Sequence, residues 1–170
     1  GLTNRILGKF VHRVFLASAR AASFFRSEKV RVTGNPVRVN FLSSSDHQPN
    51  PDQFTVFILG GSQGASSLNL AMMGALLKLQ DVKDRLVIYH QTGKSDVQKV
   101  KEVYDKEGVT SEVFAFVSKI KSYYDRADLV ICRAGAGTIT ELTLCAKPAI
   151  LVPYPFAADD HQFYNAMDLV

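Results

Sequence analysis

Apolar positions in this chain gather into short continuous runs, and a stretch with helical spacing follows nearly every one. Phe54 to Leu59, Leu86 to His90, Val113 to Val117, Leu129 to Cys132 and Ala149 to Val152 are such runs. Uninterrupted apolar segments of this length suit strands buried on both faces of a parallel sheet. Between them Ser66 to Leu79, Asp96 to Lys106, Ser118 to Arg126 and Thr138 to Ala146 read as helices. Val97, Val100 and Val103 mark the inner side of the second of these. Asp159-Asp160-His161-Gln162 opens a last helix that runs to the end of the chain, with acidic residues near its positive end. Strict alternation from Phe54 onward predicts an α/β fold, a parallel sheet with helices on both faces. A ligand site then belongs at the carboxyl ends of the strands.

The first fifty residues have a different rhythm. Thr3 to Val11 sets Ile6, Leu7, Phe10 and Val11 against Arg5, Lys9 and Arg13 at helical spacing. This is expected to be a surface helix packing its apolar side on a core; a basic face that touches lipid is the alternative. Val14 to Ala17 and Val30 to Thr33 read as short strands, with a short helix over Ala19 to Phe25. Gly34 and Pro36 then break regular structure, so Thr33 to Arg38 is a turn or an interdomain link. Ser43 to Asp52, rich in serine and proline, is a loop.

Composition narrows the class. A chain of 170 residues, 46% hydrophobic and 21% charged, suits one domain or one domain plus a piece of another. Cys132 and Cys145 lack metal-ligand spacing and sit in apolar surroundings, as expected of buried thiols in a reducing compartment. No apolar run approaches a membrane span, and no signal peptide is read. The net charge of +4 is concentrated early, in Arg5, Lys9, Arg13, Arg20, Arg26, Lys29, Arg31 and Arg38 against Glu28. No nucleic-acid recognition motif accompanies it, whereas an anionic membrane surface or a phosphorylated ligand fits the charge.

The chemistry lies in two glycine-rich turns that each join a predicted strand to a helix. Gly60-Gly61-Ser62-Gln63-Gly64-Ala65 follows the first run, and Arg133-Ala134-Gly135-Ala136-Gly137 follows Leu129 to Cys132. Such turns let a ligand approach the backbone and offer helix N–H groups to an anion. Ser62 adds a hydroxyl. Glu141, about one turn into the second helix, can accept hydrogen bonds from sugar hydroxyls, as an acidic residue does in dinucleotide sites. Arg38 is either solvated or aimed at phosphate oxygens, which its fork suits. Neither turn is Gly-x-Gly-x-x-Gly or a Walker A loop.

Taken together, these residues resemble a known family. Val32-Thr33-Gly34-Asn35-Pro36-Val37-Arg38, Gly60 to Ala65, Cys132-Arg133-Ala134-Gly135-Ala136 with Thr138 and Glu141, and Asp160-His161-Gln162 with Asn165-Ala166 look like the MurG family. The resemblance spans essentially the whole chain. It implies an inverting transfer of N-acetylglucosamine from UDP-N-acetylglucosamine to the muramoyl 4-hydroxyl of an undecaprenyl-linked pentapeptide precursor. The setting is peptidoglycan synthesis, hence cell-wall biogenesis, cell shape and division. The implied fold is the C-terminal half of a GT-B glycosyltransferase, a Rossmann-like sheet. Residues 1–34 would be the end of the N-terminal acceptor domain and the linker. Residues 35–170 would be the UDP-sugar-binding domain, stopping before the family's final helices.

The resemblance also implies roles. Arg38, Ser62, Gln63 and Gly64 would hold the diphosphate with the N–H groups of their turn. Val117 would meet the uracil edge through its backbone, with Phe116 and Ile120 around the base. Glu141 would hold the ribose, and Ala136 and Thr138 would lie against diphosphate and sugar. Gln162 would bind hydroxyls of the N-acetylglucosamine, and His161 stands where some relatives carry another glutamine. No catalytic residue is expected here, since the general base and acceptor loops belong to the first domain. No cofactor and no protein-held metal are expected, because Asp159-Asp160 is not Asp-x-Asp and more simply caps a helix. The expected partners are the sugar nucleotide, the lipid-linked acceptor and the anionic cytoplasmic face of the inner membrane, with no nucleic acid. The alternatives are another GT-B enzyme, such as a UDP-N-acetylglucosamine 2-epimerase, and a non-catalytic sugar-nucleotide module.

Overall fold

Four of the five apolar runs, with a strand that overlaps only the start of the remaining one, form one parallel sheet in the computed structural model, which describes residues 2–44, 47–61 and 64–169. In chain order the elements are α1 (Leu2–Phe10), β1 (Val14–Leu16), β2 (Val30–Val32), β3 (Phe54–Leu59), α2 (Ser66–Leu76), β4 (Leu86–Gln91), α3 (Val97–Glu107) and β5 (Thr110–Phe114). They continue with α4 (Ile120–Arg126), β6 (Leu129–Cys132), α5 (Ala136–Cys145), β7 (Ala149–Leu151) and α6 (His161–Met167). Strand order in the large sheet is β5-β4-β3-β6-β7. The chain steps outward from β3 to β5, returns to the other side of β3 with β6, and so creates a switch point between β3 and β6.

The two faces of that sheet carry two cores. Val56, Ile58 and Ile88 pack with Leu68, Met72 and Leu76 of α2 and Val100 and Tyr104 of α3. Phe57, Leu59, Val130 and Cys132 pack with Ile120 and Tyr124 of α4, Leu142 of α5 and Phe41. Helices therefore cover both faces, as the alternation predicts. The apolar runs follow from the same fact, because neighbouring residues from Val56 to Leu59 on β3 point into different cores and all are buried.

Several boundaries and faces differ from the sequence reading. Val113 to Val117 is not the fifth strand; β5 pairs Thr110 with Val87 and ends at Phe114. It is an edge strand, so Ser111 and Glu112 are tolerated within it, and the apolar run points too far along the chain. The inner face of α3 is Val100 and Tyr104, with Val97 and Val103 only half-buried. Helix α5 begins two residues earlier than expected, since Gly135 takes the N-cap position and leaves Ala136 and Gly137 in the first turn. Helix α2 ends at Leu76 instead of Leu79, and the helix over Ala19–Phe24 is a 3-10 helix. Cys132 is buried and Cys145 only half-buried. Val39–Leu42, to which the sequence reading assigned no element, is a 3-10 turn with Phe41 buried.

The first residues form a unit of their own. β1 and β2 pair in parallel as a two-stranded sheet separate from the large one. Contrary to expectation, α1 buries none of its side chains against the described residues; Leu2 is 74% and Phe10 79% exposed. Arg5 lies over the Phe24 ring at 4.0 Å. The unit meets the rest through α6, where Arg20 pairs with Asp168 at 2.5 Å and Ser18 donates to the same carboxylate at 3.1 Å.

Candidate functional site

The two glycine turns leave adjacent strands at the same level. Leu59 and Cys132 are register partners, and the Arg133 N–H donates to the Leu59 carbonyl at 3.3 Å. The first turn is closed by backbone contact. A Cβ on Gly60 would stand 2.5 Å from the Ala65 nitrogen. Gly64, at φ +76°, is pressed against the β4–α3 connection, and a Cβ there would run into the Thr92 carbonyl and come 2.8 Å from the Gly93 Cα. A positive φ and zero side-chain space together require glycine. Gln91 donates to the Gly61 carbonyl at 3.1 Å, and the Gly64 N–H to the same oxygen at 3.0 Å. Ala65 at the N-cap of α2 supplies no side-chain cap. Ser62 and Gln63 lie outside the described residues.

The second turn is braced by polar side chains to which sequence reasoning gave no role. Arg133 is buried and donates to the carbonyls of Val152 and Pro153, both at 3.1 Å, and to the Ser67 hydroxyl at 2.5 Å. It thereby ties β6, the end of β7 and the start of α2 together. Asn35 donates to the Ala136 carbonyl at 3.2 Å and to Thr140 Oγ1 at 3.0 Å, pinning the link before Arg38 to the first turn of α5. Asn165 donates to the Ala134 carbonyl at 3.0 Å. All three stand inside the motifs quoted above; an amide or guanidinium among small residues was the available signal. Ala136 is exposed and Thr138 half-buried on the first turn of α5, where Gly135 gives no side-chain cap.

Glu141 is half-buried one turn further along. The Tyr124 hydroxyl donates to its Oε2 at 3.2 Å. Burial pushes its carboxyl above the usual carboxylate range, while the Tyr124 hydrogen bond and the charge of Arg38 pull it back. Arg38 is exposed, at the start of the Val39–Leu42 turn. The structure therefore brings Arg38, Ala136, Thr138 and Glu141 to one edge beside the β3–α2 turn. The edge offers helix N–H groups, a guanidinium and a carboxylate, which together suit an anionic group with a diol attached.

The residues expected around a base and a sugar are more scattered. Phe116 is 64% exposed and Val117 half-buried in the β5–α4 connection. Ile120 is only 9% exposed and belongs to the second core, so its side chain packs inward. The Gln162 amide oxygen accepts from the Tyr154 N–H at 2.9 Å, which commits half of that amide to the β7–α6 connection. His161 is exposed and lines a cleft of roughly 530 Å³ with Asn4, Arg5 and Tyr164. Neither aspartate caps α6: Asp159 and Asp160 take left-handed conformations, φ 54° and 48°, and Asp160 makes no side-chain cap bond.

Behind the first turn lies a buried polar network. His90 contacts the Tyr104 hydroxyl at 2.8 Å and Asn69 Oδ1 at 3.0 Å, while Asn69 donates to the Thr92 carbonyl at 3.0 Å and to Asp96 at 2.8 Å. An amide oxygen only accepts, so Nε2 of His90 carries the proton and Nδ1 accepts from Tyr104. Desolvation lowers the His90 pKa to about 4, against a smaller opposing pull from Asp96. The network fixes the Thr92 carbonyl on which Gly64 packs. Among the described residues no group of three His, Cys, Asp or Glu side chains is placed to hold a metal ion.

Comparison with known proteins places the family and the fold. Residues 55–170 match the profile of the glycosyltransferase family 28 C-terminal domain. The whole chain is 45% identical over 172 residues to the UDP-N-acetylglucosamine--N-acetylmuramyl-(pentapeptide) pyrophosphoryl-undecaprenol N-acetylglucosamine transferase of Citrifermentans bemidjiense, of which it covers 48%. The chain spans about half the length of the curated relatives it matches. The crystal structure of Acinetobacter baumannii MurG superposes with a TM-score of 0.72 at 33% identity, over 98% of this chain and 46% of that one. The S. aureus MnaA–UDP co-structure gives 0.62 at 15% identity, over 98% and 52%, a likeness of fold alone. With its β3–β6 switch point, its paired glycine turns and this match over most of its length, the chain belongs to glycosyltransferase family 28, whose C-terminal domain it carries.

Proposed function

We propose that the chain supplies the donor site of an inverting transferase that moves N-acetylglucosamine from UDP-N-acetylglucosamine to a lipid-linked muramoyl-pentapeptide. The observation that carries this reading is the placing of Glu141 and Arg38 beside two same-level glycine turns, a site for a diphosphate with a ribose attached. In the reaction the acceptor 4-hydroxyl oxygen bonds to the anomeric carbon as the bond to UDP breaks. The electron pair leaves on the diphosphate. N–H groups of α2 and α5, with Arg38, stabilise that growing charge. A general base takes the hydroxyl proton, and we assign it to an acceptor domain preceding these residues. Gln162 and His161 face the sugar, with Phe116 and Val117 at the base.

Residues 1–34 are, in this reading, the end of the acceptor domain with its linker, which their separate small sheet supports. The exposed Leu2, Ile6, Leu7 and Phe10 beside Arg5, Lys9 and Arg13 suit peripheral contact with an anionic membrane. Among the described residues no helix is long and apolar enough to cross one. The acceptor is lipid-linked and the donor water-soluble, so in this reading the enzyme works at a membrane surface, which we assign to the cytoplasmic face of the inner membrane.

The test is product analysis. The full-length protein, given UDP-N-acetylglucosamine and lipid-linked acceptor, forms the disaccharide lipid and UDP, while residues 1–170 alone bind UDP without turnover. An epimerised sugar nucleotide as product would replace the transferase reading with a different activity on the same site. Robust transfer by residues 1–170 would remove the need for an acceptor domain.

A further inference from the structure

One buried side chain joins the two halves of the proposed nucleotide site, and no role in binding has been given to it. Tyr124 of α4 is fully buried. Its ring meets Phe57 of β3 edge-on, centroids 5.4 Å apart and planes at 87°, and Phe41 at 5.9 Å and 66°. Its hydroxyl donates to Glu141 Oε2. Phe41 is buried in the turn that Arg38 opens, and its N–H donates to the Arg38 carbonyl at 3.0 Å. A single rigid group thus touches the carboxylate through its oxygen and the arginine's turn through its ring.

The chemistry of a phenol makes this more than packing. Its one proton goes to Oε2, which leaves Oε1, without a partner among the described residues, to accept from a diol. Glutamate otherwise has several rotamers to lose on binding, and a fixed partner removes that cost beforehand. The ring, held between two aromatic edges, keeps the hydroxyl from swinging away.

We infer that Tyr124 is a positioning residue that couples the two ends of nucleotide recognition. Its hydroxyl orients Glu141 for the vicinal diol of a nucleoside diphosphate, and its ring holds Phe41, and with it the Arg38 turn, for the diphosphate. This rests on the donor-site reading above. The charged and titratable groups facing Glu141 are Tyr124 from α4, Arg38 from the link and Cys145 one turn along α5. Those behind them are Cys132 beside Tyr124, and Lys121, Asp125 and Lys147 beside Cys145. Burial holds the Tyr124 proton well above the usual phenol range, so it stays a donor at working pH.

The experiment measures calorimetric affinities of the full-length protein for UDP and 2′,3′-dideoxy-UDP across pH. Wild type prefers UDP. Tyr124→Phe loses about tenfold of that preference, the scale of one hydrogen bond to a charged group. It leaves the dideoxy affinity nearly unchanged and moves the acid limb of the preference to higher pH. In a Glu141→Ala background it has no further effect. Phe41→Leu weakens both nucleotides alike and keeps the preference. If Tyr124→Phe does not fold, 3-fluorotyrosine at position 124, a stronger donor of the same shape, moves the acid limb to lower pH. An unchanged preference in Tyr124→Phe, additive losses with Glu141→Ala, or an unmoved limb with fluorotyrosine overturns the inference. A wild type that does not bind UDP, or does not distinguish the two nucleotides, overturns the donor-site reading and the inference with it.

Discussion

Glu141 sits where an ionised carboxylate is costly for folding, and in the proposed donor site it binds the ribose. Its folded pKa is raised by burial, so the folded chain holds the proton more tightly than the unfolded chain does. Ionisation therefore costs stability above the folded pKa, and that cost vanishes as pH falls below the unfolded value. Glu141→Gln removes the charge and keeps an acceptor for Tyr124. We expect its melting temperature at pH 7 to equal or exceed wild type while UDP affinity falls by ~1–3 kcal/mol; calorimetry of both quantities decides, and a parallel loss would mark Glu141 as structural. His90 runs in the opposite sense. Its folded pKa of about 4 lies below the ordinary 6.5, so its share of stability is whole above 6.5 and lost as pH falls to about 4. That share is on the order of 3 kcal/mol. The imidazole should stay neutral in NMR titrations of the folded chain until about pH 4, and a midpoint near 6.5 would contradict the burial argument.

At the scale of elements, each glycine turn is positioned by what lies behind it. The β3–α2 turn packs on the β4–α3 connection, which the Asn69–His90–Tyr104 network holds in place. Gly64→Ala would place a Cβ into the Thr92 carbonyl at φ +76°. We expect it to cost ~1–3 kcal/mol of stability, through strain and steric displacement, and to weaken UDP and pyrophosphate binding to a similar degree. Chemical denaturation and titration with both ligands test this. Retained diphosphate affinity would mean that the turn does not hold the phosphates. The β6–α5 turn is braced instead by Arg133, Asn35 and Asn165, which arrive from three other places in the chain.

Across the whole molecule, the first unit and the large sheet meet at α6, the helix that also carries His161 and Gln162. The Arg20–Asp168 pair is largely solvent-exposed, and exposed pairs contribute little. Asp168→Ala should therefore change unfolding free energy by less than about 1 kcal/mol. It should nonetheless speed hydrogen exchange in both Ala19–Phe24 and α6, because it also removes the acceptor of Ser18. Exchange read by mass spectrometry, with no change at either segment, would show that other contacts, such as Arg20 over the Tyr164 ring and the link through Asn35, hold the two units together.

The sequence by itself determined the alternation of strands and helices, the parallel sheet and both glycine turns. These are local matters: short apolar runs bounded by turn residues favour strands covered on both faces, and the positive φ of Gly61 and Gly64 is cheap only at glycine. It also marked Glu141, a carboxylate one turn into a helix that follows a glycine turn, as a candidate, whereas Arg38 read equally as a solvated side chain until the resemblance gave it a role. Only tertiary structure decided that β5 begins at Thr110, because an edge strand takes polar residues and its start is set by pairing with Val87. It alone turned Ile120 inward, committed the Gln162 oxygen to Tyr154 and left α1 uncovered by the described residues. Tyr124 stayed illegible for the same reason. Its partners Phe41, Phe57 and Glu141 are far away in sequence, and no periodicity in a chain records which side chains a sheet will bring together.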